Sequence, residues 1–328
     1  MEYRTLGKTG LSISTLAFGG APLGDIFGEL DESAALDAVH AALDGGINYF
    51  DTAPLYGFGL AEERIGRALK GRRDDVVLAT KCCRDGFEEF DFSGARVISS
   101  VEESLKRLGT DRIDVLQIHD VEFGTRRQVL EEALPAARKL KETGKVRFVG
   151  ITGLPVRYLR SLAEVAEIDT LLSWGHCNLL EDELEEELVP LAAERGFGLI
   201  NASPVLQGIL TEREPPAWHR SPKPVLEMAP RVAALCRGAG FDVAAVAVAY
   251  AVRRPAIATT IVGMRSRAEV EANVAAMTLD IPEELFERIE QLVAPVKNMM
   301  WFEGRPENNL PPTDPDRYVP RTPSTTHS

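Results

Sequence analysis

Apolar residues fall along the chain in two alternating rhythms. Short runs without strict alternation recur eight times: "TLAFGG" (15–20), "INYFDT" (47–52), "VVLATK" (76–81), "IDVLQIH" (113–119), "VRFVGIT" (146–152), "DTLLSW" (169–174), "FGLINAS" (197–203) and "ATTIVG" (258–263). Such runs predict strands. Between them the spacing changes to that of amphipathic helices. Leu36, Val39 and Leu43 share a stripe that stops at Gly45-Gly46, and Val97, Val101, Leu105 and Leu108 share another, with Ser93 as its N-cap. "VLEEALPAARKLKETGK" (129–145) predicts a helix closing on a lysine-rich turn and Gly144.

Eight strand–helix units predict an α/β fold of the (β/α)8 (TIM) barrel type. An open doubly wound sheet is the alternative. That fold normally carries G-x-G-x-x-G after its first strand, and "FGGAPLG" does not match. The opening "YRTLGKTGLSIS" (3–14) predicts a β-hairpin turning at Gly-Lys-Thr-Gly and plugging the barrel floor. The barrel is expected over 1–303. From Gly304 the chain is rich in proline and polar residues, which predicts a surface-hugging or disordered tail over 304–328.

Composition narrows the partners. The 328 residues are 45% hydrophobic and 27% charged, enough apolar material for a sizeable core. A net charge of −13 argues against a nucleic-acid partner. No apolar run approaches a bilayer span, and "MEYRTLGKTG" has no secretory h-region. Cys82, Cys83, Cys177 and Cys236 lack the paired spacing of a zinc site. The expectation is a reduced, cytoplasmic, metal-free protein with a small-molecule substrate and no membrane partner. The sequence does not set its oligomeric state.

In a barrel, reactive groups project from the C-terminal ends of the strands. Three consecutive predicted strands end in Asp51, Lys81 and His119, and Tyr56 follows in the loop after Asp51. Singly, each has a plain structural reading: a cap, a solvated lysine, a bonded histidine, a packed tyrosine. Jointly they predict one site. A free phenol titrates near pH ~10. An adjacent ammonium favours the phenolate, a carboxylate aims the ammonium, and a histidine orients a substrate oxygen. The set suits general acid–base chemistry between a carbonyl and an alcohol. None of the four donates hydride, so an organic cofactor is required.

"DTAPLYGFGLAEERIGRAL" (51–69), "LATK" and "LQIH" resemble the signature segments of the aldo-keto reductases, nicotinamide-dependent barrels with an Asp–Tyr–Lys–His tetrad. The resemblance covers roughly residues 3 to 303 and implies the catalytic set Asp51, Tyr56, Lys81 and His119. "GFEEFDFSGARV", "HDVEFG", "GKVRFVGITGLP", "ASPVLQGILTEREPPAWH", "VGMRSRAEVEANVAA" and "PVKNMMW" are similar to the branch of L-galactose and L-fucose (D-threo-aldose) dehydrogenases. That likeness implies oxidation of a free aldose at C1 to the lactone, with reduction of NAD. An NADPH-dependent aldehyde or ketone reductase and a cofactor-binding redox sensor are the alternatives, and pyridoxal or a polyol-like compound is an alternative substrate.

The implied cofactor contacts are Gly20, Thr152, Ser173, Ser203, Pro204, Leu206, Gly208, Leu210, Gly263, Met264, Arg265, Glu269 and Asn273. Glu269 stands where NADP-preferring relatives often carry arginine, which implies NAD. Arg265 and Arg267 would serve NADP if the loop turned them inward. Thr152-Gly153 replaces Ser-Asn, Trp174 replaces glutamine, Ala202 replaces a stacking aromatic and Ala272 replaces an acidic residue. Trp174 and Trp301, beside Tyr56 and His119, are expected at the substrate. Trp218 is expected as core packing. Cys82 and Cys83 are expected to pack beside Lys81, with redox sensing as the alternative.

Overall fold

In the computed structural model, which describes residues 1–215 and 219–311, eight parallel strands close into a barrel. A two-stranded antiparallel hairpin, β1 (Tyr3–Thr5) and β2 (Ser12–Ser14), precedes it. The barrel strands are β3 (Leu16–Gly19), β4 (Tyr49–Asp51), β5 (Val77–Cys82), β6 (Ile113–Ile118), β7 (Val146–Gly153), β8 (Thr170–Trp174), β9 (Gly198–Ala202) and β10 (Thr259–Gly263). They pair in sequence order, and β10 closes on β3. The fold is therefore the expected (β/α)8 barrel, and each strand coincides with one of the eight apolar runs.

Around the strands lie α1 (Glu32–Asp44), α2 (Leu60–Ala68), α3 (Gly94–Leu108), α4 (Arg126–Gln128), α5 (Leu134–Glu142), α6 (Val156–Ala163), α7 (Glu183–Arg195), α8 (Lys223–Gly238), α9 (Val243–Val252), α10 (Arg267–Ala276) and α11 (Glu283–Val293). Ser93 caps α3, accepting from Arg96 N. Val39 is buried, and Leu36 and Leu43 pack beside it. The single helix expected over 129–145 instead begins at Arg126 and passes through a π-turn at Val129–Ala133. Pro135 has no N–H to donate to the preceding turn, which accounts for a widened turn just before it. Between β9 and β10 stand two helices rather than one. No single described helix is long and apolar enough to cross a membrane; α8 and α9 bend by 93° and bury their apolar faces in one cluster.

The hairpin seals the barrel floor. Leu6 and Ile13 are fully buried and cluster with the inward-facing Ala17, Tyr49, Val115, Leu172 and Ile200. At the opposite end, the segment expected as a tail begins on the barrel. Arg305 N donates to Glu122 O (2.9 Å), and buried Asn308 donates to the carbonyls of Glu122 and Gly124 at 2.8 Å each. The rest of that segment, 312–328, and Trp218 lie outside the described residues.

Candidate active site

The parallel register brings the strand ends level. Gly19 pairs with Asp51, Asp51 with Ala79, and Lys81 with Gln117, so neighbouring strands deliver their last side chains to one mouth. Lys81 Nζ is the hub. It donates to Asp51 Oδ1, to Thr52 O (2.9 Å) and to Tyr56 OH (3.2 Å). An ammonium has three N–H donors, and all three are used. Asp51 and Lys81 are only 3% and 2% exposed, and Gln117 donates to the second Asp51 oxygen at 3.2 Å. Burial alone would lower Lys81, but Asp51 and Tyr56 outweigh it and raise the lysine above its ordinary value. Burial raises the Asp51 carboxyl against the pull of Lys81.

The loop carrying Tyr56 is held by two glycines. A Cβ on Gly57 (φ +67) would lie 2.3 Å from Gly24 O, and one on Gly24 would lie 2.3 Å from the Tyr56 carbonyl carbon. Only glycine permits this approach. Below the loop, fully buried Glu62 on α2 accepts from Thr80 Oγ1 and from Arg107 Nε, at 2.6 Å each. It pins α2 to the strand residue before Lys81. Arg64 donates to Leu23 O (2.6 Å), Asp25 Oδ1 (2.7 Å) and Leu30 O (2.8 Å), tying the preceding loop to the same helix.

The expected effect of Lys81 on the phenol is present but does not win. Burial raises Tyr56 above its ordinary value, and the Lys81 charge works against that rise. Burial pushes His119 down to about 3, so its imidazole is neutral around neutral pH. Its Nδ1 has no hydrogen-bond partner among the described residues, while Nε2 lies 3.6 Å from Asp120 Oδ2. The nearby carboxylate favours the tautomer with the proton on Nε2. The His119 and Tyr56 rings meet edge to face, with centroids 6.1 Å apart.

The remaining expected residues form a band across β7 to β10. Buried Thr152 and Ser173 come from adjacent strand ends, where Gly153 pairs with Ser173. His176 Nδ1 donates to Trp174 O (3.1 Å) and lies 3.3 Å from Ser173 Oγ. Ser203 (φ +61) accepts from Gln207 N at 3.0 Å, followed by buried Pro204. Gly208 has φ +98, and nothing stands within 4 Å of where its Cβ would be. Leu206, Leu210 and Met264 turn their side chains into the core. Gly20 donates to Asp51 O at 2.8 Å, and Gly263 is exposed. Glu269 Oε2 accepts from Arg265 N (2.8 Å), and Asn273 lies half-buried further along α10. The neutral hydroxyls and the open backbone at Gly208 fit a nicotinamide dinucleotide.

Trp301 is 3% exposed and sits against Trp174 and His219, with centroids 5.7 and 5.6 Å away. Trp174 is thus the less covered indole. Cys82 and Cys83 are fully buried, with their Sγ atoms 3.7 Å apart, and burial raises the Cys83 thiol well above its usual range. Sequence reasoning missed Gln117, Glu62 and the Arg84–Asp120 ion pair beside His119. For Gln117 and Glu62 the available signal was a polar residue inside an otherwise apolar strand and one on the inner face of a helix.

A closed parallel barrel with a lysine–tyrosine–carboxylate hub beside a neutral histidine defines a class of carbonyl–alcohol oxidoreductase. The profile of the Aldo/keto reductase family matches residues 15–294, and the chain belongs to that family. It is an NAD(P)-dependent oxidoreductase. It is 41% identical to the L-galactose dehydrogenase of Arabidopsis thaliana over 94% of this chain and 99% of that one. It is 30% identical to a D-threo-aldose 1-dehydrogenase of a Pseudomonas species, over 86% and 94% of the two chains. Among solved structures, the holo form of an aldo-keto reductase from Bacillus halodurans aligns with a TM-score of 0.76. That alignment has 30% identity and covers 94% of this chain and 100% of the other.

Proposed function

We propose that the protein oxidises a free aldose of the L-galactose, L-fucose or D-arabinose kind at C1, giving the lactone, with NAD. The observation that carries this reading is the Lys81 hub holding Tyr56 OH at 3.2 Å beside a neutral histidine. The likeness to L-galactose dehydrogenase and D-threo-aldose 1-dehydrogenase supports the choice of sugar. A nicotinamide dinucleotide bound along Thr152, Ser173, Ser203, Gly208 and α10 supplies the hydride acceptor. Tyr56, as phenolate, removes the proton of the C1 hydroxyl, and the Lys81 ammonium stabilises that phenolate. Asp51 keeps Lys81 charged and aimed. His119 donates from Nε2 to the C1 oxygen and sets its position. Because C1 of a cyclic aldose is a hemiacetal carbon, its oxidation ends at the lactone.

NAD is favoured over NADP by the groups around α10. The Glu269 carboxylate repels a 2′-phosphate and suits a ribose hydroxyl. Arg265 is committed to the carbonyls of Phe27 (3.2 Å) and Glu29 (2.8 Å), and Arg267 to Asp37 (2.5 Å). Initial rates of NAD reduction with L-galactose, L-fucose and D-arabinose test the reading, and turnover of at least one is expected. No turnover with any of them, alongside brisk NADPH-dependent aldehyde reduction, would overturn it.

A further inference from the structure

Three carboxylates gather around the Arg84 guanidinium near the mouth: Asp120, Glu122 and Glu303. Two of them are committed elsewhere. Glu122 is fully buried: its Oε1 accepts from Leu154 N at 3.0 Å, and its Oε2, without a hydrogen-bond partner among the described residues, is packed against Gly153. Glu303 Oε1 accepts from Trp301 Nε1 (2.9 Å) and from Arg220 (3.2 Å). Asp120 differs. Its Oδ2 accepts from Arg84 Nη1 and stands 3.6 Å from His119 Nε2, while its Oδ1 has no hydrogen bond among the described residues. The side chain keeps 5% of its surface open.

Two further observations show that this carboxylate is held in place. The Asp120 backbone lies in the left-handed region (φ 46, ψ 62), which non-glycine residues occupy at a cost and aspartate tolerates better than most. Arg84 is fixed from behind, 5.0 Å from the ring centroids of both Phe90 and Phe123, and donates to Phe87 O at 3.3 Å. A side chain so anchored holds its carboxylate with little freedom.

The position of His119 says what that carboxylate meets. If the oxygen under oxidation lies within hydrogen-bond reach of Nε2, the Asp120 carboxylate, whose Oδ2 stands 3.6 Å from the same nitrogen, lies beside the next oxygen of the sugar. Vicinal sugar oxygens are about one hydrogen-bond length apart. The neighbours of C1 are the ring oxygen and the C2-hydroxyl. An ionised carboxylate only accepts, and only the hydroxyl can donate.

We propose that Asp120, anchored by Arg84, is a specificity-determining residue that accepts the C2-hydroxyl of the aldose and thereby fixes which face of C1 is presented for oxidation. The proposal rests on the aldose reading above and narrows its substrates to sugars with a free C2-hydroxyl.

The test measures kcat and KM for NAD reduction by the full chain and by Asp120→Asn, with L-galactose and with 2-deoxy-L-galactose. Asparagine keeps the shape and tolerates the left-handed backbone, and Asp120→Ala removes the acceptor entirely. Melting curves show whether each variant is folded. The unaltered enzyme should lose about 10- to 100-fold in kcat/KM when the C2-hydroxyl is removed. Removing the carboxylate also alters the setting of His119, which lowers turnover of both sugars, but either variant should lose about 10-fold or more beyond that on L-galactose relative to the 2-deoxy sugar. Equal kcat/KM of the unaltered enzyme on both sugars would overturn the proposal. So would an equal loss on both sugars in the variants, which would leave Asp120 with no role beyond supporting His119 or the fold. Absence of all sugar oxidation alongside aldehyde reduction would remove the aldose reading itself, and this inference with it.

Discussion

Replacing Asp51 by asparagine probes the hub on which the site is built. The side chain keeps its shape, but the anion facing a buried ammonium is gone, and Lys81, 2% exposed, is left with Thr52 O, Tyr56 OH and a neutral amide. Removing one partner of a buried pair costs about 3–5 kcal/mol, because the other charge stays desolvated without compensation. At about 2.1 cal/mol/K per residue, the 328-residue chain unfolds with an entropy of ~0.7 kcal/mol/K, so the melting temperature should fall by about 4–7 °C near neutral pH. The loss also has a pH signature. In the unaltered protein burial would lower Lys81, but Asp51 and Tyr56 raise it, so its contribution is fully present below the unfolded pKa of about 10.4 and is lost as pH rises from there through the folded one. In the variant burial dominates and the folded pKa drops below the unfolded one. The unfolded chain then binds more protons, and stability rises with pH until about 10.4. Calorimetric melts at about pH 7, 8.5 and 10 should therefore show the gap between the proteins narrowing. A variant melting within about 1 °C of the unaltered protein near neutral pH, or a gap that stays constant, would refute the reasoning.

Two other expectations follow from the same geometry. His119, held near 3, does not titrate in the neutral and alkaline range, whereas burial raises Tyr56 despite Lys81. The single-turnover rate of sugar oxidation should therefore climb steadily between about pH 6 and 10, and a flat profile would count against Tyr56 as the base. Glu269→Gln keeps an acceptor for Arg265 N but removes the negative charge. It should raise kcat/KM with NADP relative to NAD by about tenfold, and an unchanged ratio would take Glu269 out of cofactor discrimination.

The barrel was legible because its strands are buried on both faces and read as short, predominantly apolar runs, while its helices keep one apolar stripe. The four central residues were legible because three are consecutive strand ends and the fourth lies in the loop after the first. The groups that hold them were not. Glu62 meets Thr80, 18 residues away, and Arg107, 45 residues away, so its role exists only once α2, α3 and β5 have packed. Gln117 read as one polar residue in an apolar strand, and only the register sets it against Asp51. The balance on Tyr56 was hidden for the same reason: the lysine is written in the sequence, whereas the burial that outweighs it belongs to the fold. Leu206, Leu210 and Met264 were expected at a ligand by motif, yet side-chain direction in a loop follows from the core it covers.

The most direct measurement of the central claim is turnover and NAD binding by Tyr56→Phe with L-galactose. The ring and its packing remain, and only the oxygen 3.2 Å from Lys81 Nζ is removed. The account predicts a folded variant whose melting temperature falls by only about 1–4 °C for the lost partner of the Lys81 ammonium, NAD affinity within about twofold, and a kcat lower by at least about 100-fold. A folded, NAD-binding variant that keeps kcat within about tenfold of the unaltered enzyme would contradict it.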